Sequence, residues 1–132
     1  MSIQSNIKQF YNQHPVPNPV NLTLTEKQVV NGQKIDDLAS EQNFKHFRNI
    51  LNTRLYKNAY KRHGKQLAMF VVRESDATHR HHLHLVMEQP KDIEPHFFMH
   101  MVKSCWQKTK FGYNEIHFEK PTELSRENGW ID

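Results

Sequence analysis

The sequence feature that most constrains the fold is the stretch from Thr78 to Glu88, where four histidines within six residues are followed by an apolar run. Successive side chains of a β-strand point to opposite faces. In a strand, His82 and His84 therefore share one face, and the other face carries two leucines and a methionine. Because the apolar face needs cover and the imidazoles are polar, the sequence predicts a sheet that is packed on one side.

Three more strands are expected along the chain. Alternation of apolar and polar residues predicts strands over 20–27 and 113–119. An apolar, partly β-branched run predicts another over 67–74, which a short turn connects to the histidine strand. Asn31-Gly32 is typical of a turn or loop.

Two helices are expected between these strands. The first begins after Asp36 or Asp37 as N-cap and ends at Gly64. The second begins near Pro95, which suits a first helical turn, and ends before Gly112. The predicted buried stripe of the first helix is Phe44, Phe47, Leu51, Leu55 and Ala59.

The order of these elements predicts an α+β fold, namely a ferredoxin-like β-α-β-β-α-β antiparallel sheet with both helices on one face. In that topology the first strand and the histidine strand are central and adjacent. The helices are expected to cover Leu22, Leu24, Leu83, Leu85, Ile116 and Phe118. The open face is expected to carry Thr23, Thr25, His82, His84, Glu115 and His117, and with them the site.

Length and composition predict one small domain after an arm. The chain has 132 residues, 36% of them hydrophobic, and the domain is expected to span 20–132. Residues 1–19 are predicted to be an N-terminal arm, because three alternating prolines exclude regular helix or strand. No membrane-length apolar run or signal peptide is recognisable, and the single Cys105 is compatible with a reducing compartment. We expect a cytoplasmic protein that is monomeric in isolation.

Charge is segregated along the chain. The net charge is +4, but residues 43–73 contain eight Lys and Arg and no Asp or Glu, so the rest of the chain is net acidic. Such a local positive field favours a polyanion partner, nucleic acid first. The alternative is a solvated helix face on a slightly basic protein.

Three side chains suit a metal ion. His82 and His84 provide two imidazoles on one face. Glu74 ends the neighbouring strand and is the third ligand if its side of that strand is the open one. An N2O donor set with open positions suits Mn²⁺ or Mg²⁺, with Mn²⁺ favoured by the imidazoles and zinc possible. Beside a basic groove, such an ion suits Lewis-acid activation of a phosphodiester. Glu115 or His117 could replace Glu74 as the third ligand.

Further polar residues are interpreted around this site. His96 and His100 share a face of the second helix, where exposed histidines are a simpler interpretation than a second metal site. Thr23 and Thr25 can contact phosphate, although threonine is also an ordinary strand residue. The candidate DNA-contacting residues are Thr23, Thr25, Lys27, Arg54, Lys57, Lys61 and Arg73.

The His82-Leu83-His84 segment resembles the histidine-hydrophobic-histidine motif of the HUH endonucleases. The chain from residue 20 to 132 resembles in particular the rolling-circle replication initiator (Rep) proteins of plasmids and small single-stranded DNA replicons. Their first motif is matched by 21–25, and the acid about eight positions before the histidines by Glu74. The segment 106–118, with an aromatic-Gly-Tyr turn into the last strand, is also similar to plasmid Rep proteins.

The resemblance implies an HUH-type nuclease domain that nicks single-stranded DNA at a replication origin. It implies a metal ion held by Glu74, His82 and His84, and a tyrosine of a Tyr-x-x-Lys motif that attacks the phosphate to give a 5′-phosphotyrosine and a free 3′-hydroxyl. That motif does not occur in the 132 residues, and 129–132 resembles the lead-in to its helix. Either the tyrosine lies beyond residue 132, which we expect, or the protein lacks it. We interpret Tyr56 and Tyr60 as helix-surface or DNA-contacting residues.

A second function remains open from the sequence. A non-catalytic nucleic-acid-binding module with an RNA-recognition-like sheet would carry stacking aromatics on the central strands. This chain has histidines and threonines there, although Phe70 could stack from the neighbouring strand. A metal-induced rise in melting temperature would favour the nicking enzyme over the module.

Overall fold

A computed structural model of the chain describes residues 16–75 and 81–119. Its elements confirm the α+β class with a four-stranded antiparallel sheet. In chain order they are β1 (Pro19–Glu26), β2 (Val29–Val30), β3 (Gln33–Lys34), α1 (Asp37–Tyr56), α2 (Asn58–His63), β4 (Met69–Ser75), β5 (His81–Glu88), α3 (Pro95–Gln107) and β6 (Gly112–Glu119). In the described ranges no helix has the length and apolar character to cross a membrane.

The main sheet has the strand order β4-β5-β1-β6, with every neighbouring pair antiparallel. The histidine strand β5 and the first strand β1 are therefore the two central strands. Thr23 of β1 is opposite His84 on one side and His117 on the other. A small hairpin of β2 and β3 turns through Asn31 and Gly32, whose positive φ angles of 50° and 78° suit a tight hairpin turn.

The core lies between the sheet and the helix layer. The alternate residues Leu22, Leu24, Leu83 and Leu85 pack in one cluster with residues of both α1 and α3, so both helices cover the same face. Each fully buried side chain of this size contributes about 1.5–3 kcal/mol. Buried side chains contributed by the helices are Phe47, Leu51, Phe98, Met101, Val102, Cys105 and Trp106.

The predicted single long helix is wrong at Lys57. Asp36 is the N-cap, and its Oδ1 accepts a hydrogen bond of 2.7 Å from the Ala39 amide. Lys57 has φ 49°, which ends α1, and α2 starts at the next residue. The buried stripe is confirmed at Phe47 and Leu51, with Phe44 and Leu55 half-buried against the same core, but α2 with Ala59 has no buried residue. Neither glycine nor proline marks the break in the sequence. Gly64 ends α2 in the left-handed conformation, as predicted.

The face away from the helices is covered at one end. Val16 and Val86 are buried and pack with the half-buried Ala68 and Phe70. Asn18 fixes this segment by donating a 2.8 Å hydrogen bond to the Gln89 carbonyl. The last residues of the predicted arm therefore pack on the domain, whereas 1–15 and the tail 120–132 lie outside the described residues.

Candidate functional site

Polar side chains form a row across three strands on the helix-free face. Glu74 of β4 is opposite His82 of β5, which is opposite Thr25 of β1. His84 is likewise opposite Thr23. Residues directly opposite each other in an antiparallel sheet point to the same side. The five side chains therefore lie on the helix-free face, opposite to the leucines of β1 and β5.

Glu74 and His84 are in direct contact within this row. The His84 Nε2 and Glu74 Oε2 atoms are 2.9 Å apart, across a diagonal of the β4-β5 pair. The side chains are 27% and 38% exposed, so the contact is half-buried and open to solvent on one side. The sequence predicted the helix-free side for His84 and left the side of Glu74 open, and the register places Glu74 on that same side. Two of the three proposed metal ligands converge to hydrogen-bond distance.

The structure gives no complete metal cage. Among residues 16–75 and 81–119, no group of three or more His, Cys, Asp and Glu is arranged to hold a metal ion. His82 lies on the same helix-free face and is directly opposite Glu74 in the β4-β5 pair. The hydrogen bond of Glu74, however, is with His84. An imidazole N–H can donate to a carboxylate, and the same nitrogen and oxygen can instead bind one cation.

The alternative third ligands lie farther away. His117 is exposed on β6 and is separated from His84 by the whole of β1, since Thr23 is opposite both. Two strand spacings are about 9.5 Å. Glu115 is also exposed on β6. Glu74, on the strand next to β5, therefore lies nearer to His84 than either of these residues of β6.

Thr23 and Thr25 are the predicted DNA-contacting residues that the fold brings to the site. Thr23 is half-buried beside His84, and Thr25 is buried beside His82. Lys27 is exposed just past the end of β1, where its amide donates to the Phe111 carbonyl at 2.7 Å. Of the three residues, Lys27 is exposed, Thr23 is half-buried and Thr25 is buried.

The other predicted DNA-contacting residues lie on the helix side. Arg73 is opposite Leu83 and shares its face, where its guanidinium pairs with Asp37 at 3.4 Å and donates to the Asp37 carbonyl at 2.9 Å. The remaining three are exposed at the end of α1 and on α2: Arg54, Lys57 and Lys61. Sequence order alone did not separate these two groups.

Glu26 is a residue near the site that the sequence interpretation missed. It is 3% exposed at the end of β1, and its Oε1 accepts a 2.7 Å hydrogen bond from Ser40 Oγ. Its Oε2 is buried and has no partner among the described residues. Burial raises the pKa of Glu26, opposed by the Ser40 hydrogen bond and by the charges of Arg73 and His82. The sequence does carry a signal for it, because Glu26 continues the alternation of Leu22 and Leu24 and therefore points to the apolar face of β1.

The other histidines do not join the row. His81 alternates to the helix side, as predicted, and its Nδ1 is buried without a hydrogen-bond partner among the described residues. His96 and His100 are exposed on α3, on the opposite side of the sheet. Phe70 is half-buried against Val16, so its ring is partly covered at this end of the sheet.

Comparison with protein-family models, with curated proteins and with solved structures found no match. The resemblance to the HUH endonucleases therefore depends on the residues that carry it in the sequence.

Proposed function

We propose that this chain binds a divalent metal ion through Glu74, His82 and His84 and holds single-stranded DNA against it. In this proposal it is the metal-binding part of an HUH-type DNA-nicking enzyme of a replication initiator. The attacking tyrosine would lie beyond residue 132. The ion would be Mn²⁺ or Mg²⁺, since two imidazoles and a carboxylate leave positions for water or phosphate.

A ferredoxin-like arrangement belongs to this proposal. The four long strands follow the spatial order β4-β5-β1-β6, and one helical segment follows β1 while the other precedes β6. Both helical segments pack on one face, which leaves the histidine row on the other. This order supports the ferredoxin-like topology expected from the chain.

The observation that carries the metal proposal is the 2.9 Å distance between His84 Nε2 and Glu74 Oε2. Two ligands at adjacent corners of an octahedron with bonds of about 2.1 Å are about 3 Å apart. A nitrogen and an oxygen already at that separation need little movement to share one ion. His82, opposite Glu74 on the same face, is the third donor.

The chain's own residues would position the DNA. When bound, the ion would supply Lewis-acid polarisation of the scissile phosphate. The hydroxyl of Thr23, one strand further from the edge than His84, can donate to a phosphate oxygen. Lys27, exposed at the end of the same strand, adds a positive charge for the backbone.

Metal titration followed by melting temperature tests the proposal. Mn²⁺ at a hundred times its Kd should stabilise the fold by about 2.7 kcal/mol, which raises Tm by roughly 10 °C. His82→Ala and Glu74→Ala should each remove most of this shift. His100→Ala, which removes an exposed imidazole from the helix layer, should keep it.

Binding of a fluorescent single-stranded oligonucleotide completes the test. We expect Mn²⁺ to tighten binding in the wild-type chain and in His100→Ala, but not in His82→Ala. DNA binding that is indifferent to every divalent ion and to His82→Ala would contradict the proposal. That result would favour a nucleic-acid-binding module without a metal.

A further inference from the structure

We propose that the end of the helix layer farthest from the histidine row is a second DNA contact, which binds the phosphate backbone of a duplex. This inference rests on the proposed function for its partner, DNA, but not on the metal site. The surface is called the basic helix surface and consists of Arg54, Lys57, Lys61, Arg62 and Lys65.

The basic helix surface is exposed and carries a net positive charge. All five side chains are exposed, and none forms an ion pair within the part of the chain that the structure describes. Residues 43–73 contain no acid. The surface ends at Tyr56, near Glu88 and Asp92. Burial, and then the negative charges of these two acids, raise the pKa of Tyr56. An exposed group of five cations with two carboxylates at its border keeps a positive field that attracts a polyanion.

The position of this surface separates it from the histidine row. Helix α1 has 20 residues and is about 30 Å long. Its first residue, Asp37, pairs with Arg73, the neighbour of Glu74, so the basic helix surface lies at the far end of α1. It is also on the other side of the sheet. A single strand held at His84 therefore leaves these cations free for another segment of DNA.

The chemistry of the basic helix surface favours a duplex over a single strand. Proteins that bind single strands stack bases on exposed aromatic rings. Here the Lys65 ammonium lies over the Tyr56 ring, 5.1 Å from the ring centroid, and occupies that face of the ring. The Tyr60 hydroxyl donates a hydrogen bond to the Asn49 side chain. The large apolar side chains that are exposed in the described ranges lie elsewhere: Val29, Leu38, Phe97 and Tyr113. Cations without stacking rings match a backbone whose bases are paired.

Salt-dependent binding of a blunt 20-base-pair DNA duplex, measured by fluorescence anisotropy in EDTA, tests this assignment. EDTA removes divalent ions, so the metal site cannot contribute. Five phosphate contacts predict a slope of about −4.5 for log K against log salt concentration. The neutral double variant K61Q/R62Q should reduce the magnitude of this slope by about 2. The charge-reversed variant K61E/R62E should weaken binding at least tenfold at 0.1 M salt.

The control is K34E/K103E, which makes the same change in net charge at two exposed lysines outside the surface. It should bind the duplex within about twofold of wild type at that salt. Equal losses in the control, no loss in K61E/R62E, or tighter binding to an RNA duplex than to DNA would overturn the assignment. The Mn²⁺-induced Tm shift of K61E/R62E should match that of wild type. The Tm shift therefore tests the metal site, and duplex binding in EDTA tests the basic helix surface independently.

Discussion

At the scale of single residues, Glu26 combines two costs. A carboxylate that is 97% buried loses its hydration, and one of its oxygens has no partner among the described residues. The Ser40 hydrogen bond and the charge of Arg73 offset part of this cost. Burial dominates, and the pKa of Glu26 is therefore raised. The protonated form is favoured in the folded state more than in the unfolded state.

The raised pKa of Glu26 fixes the sign of a pH effect. Above the unfolded pKa near 4.5, the folded chain binds more protons than the unfolded chain, so this residue lowers stability as pH rises towards its folded pKa. Glu26→Gln keeps an acceptor for Ser40 and removes the charge. We expect the variant to be more stable than wild type by about 1 kcal/mol at pH 8, with a smaller gain at pH 5.

Urea unfolding at the two pH values measures this difference. Ser40→Ala is the matched comparison, because it removes the donor and should destabilise the fold while the carboxylate is charged. A Glu26→Gln variant that is less stable than wild type at pH 8 would show that the ionised carboxylate has a partner that stabilises it.

At the scale of elements, the turn between α3 and β6 depends on a close approach at Gly112. A Cβ there would lie 1.9 Å from the Trp106 carbonyl oxygen and 2.6 Å from Thr109 Oγ1. Thr109 itself donates from Oγ1 to that carbonyl at 2.6 Å, and its own carbonyl accepts from the Gly112 amide at 3.4 Å, so the turn joins the end of α3 to the start of the edge strand. The glycine is needed for space at this position.

Gly112→Ala should therefore destabilise the fold by about 2–3 kcal/mol, because backbone atoms cannot move aside cheaply. Gly64→Ala is the comparison. Gly64 has φ 67° but nothing within 4 Å of its Cβ position, and the left-handed conformation costs about 1 kcal/mol for alanine. Chemical denaturation should show a lower free energy of unfolding for Gly112→Ala than for Gly64→Ala. The reverse order would mean that the turn is looser than the structure indicates.

Alternation made the strands the most predictable elements. The period of two in β1 and β5 already separates Leu22 and Leu83 from the threonines and histidines, so the faces followed from the sequence. The break at Lys57 did not follow, because the residue type carries no signal for its positive φ. Likewise, period alone does not reveal that Val16 returns to cover Val86, since that contact depends on the path of the chain.

The site was predictable in its residue types and its face, but not in its contacts. His84 lies on the expected side, and the 2.9 Å contact with Glu74 decides the side that the sequence left open for that acid. The helix-side direction of Arg73 follows from the alternation of β4, which the sequence interpretation did not apply to this residue. Glu26 was missed for the same reason. An acid at an apolar parity is the available signal for a buried carboxylate.

At the scale of the whole molecule, the sheet separates two kinds of chemistry. One side carries the half-buried Glu74, His82 and His84, next to two threonines. The other side carries the helix layer and ends in the basic helix surface. In our proposal, single-stranded DNA would be bound on the first side and a duplex segment on the second, so the two contacts should respond independently to substitution.

The most direct test of the central claim is paramagnetic broadening of imidazole NMR signals by substoichiometric Mn²⁺. The account predicts that the His82 and His84 signals vanish first, while those of His96 and His100 on α3 persist at the same metal concentration. Glu74→Ala should abolish the selectivity. Equal broadening of all histidines, or earlier loss of the α3 signals, would contradict a shared metal site on the helix-free face.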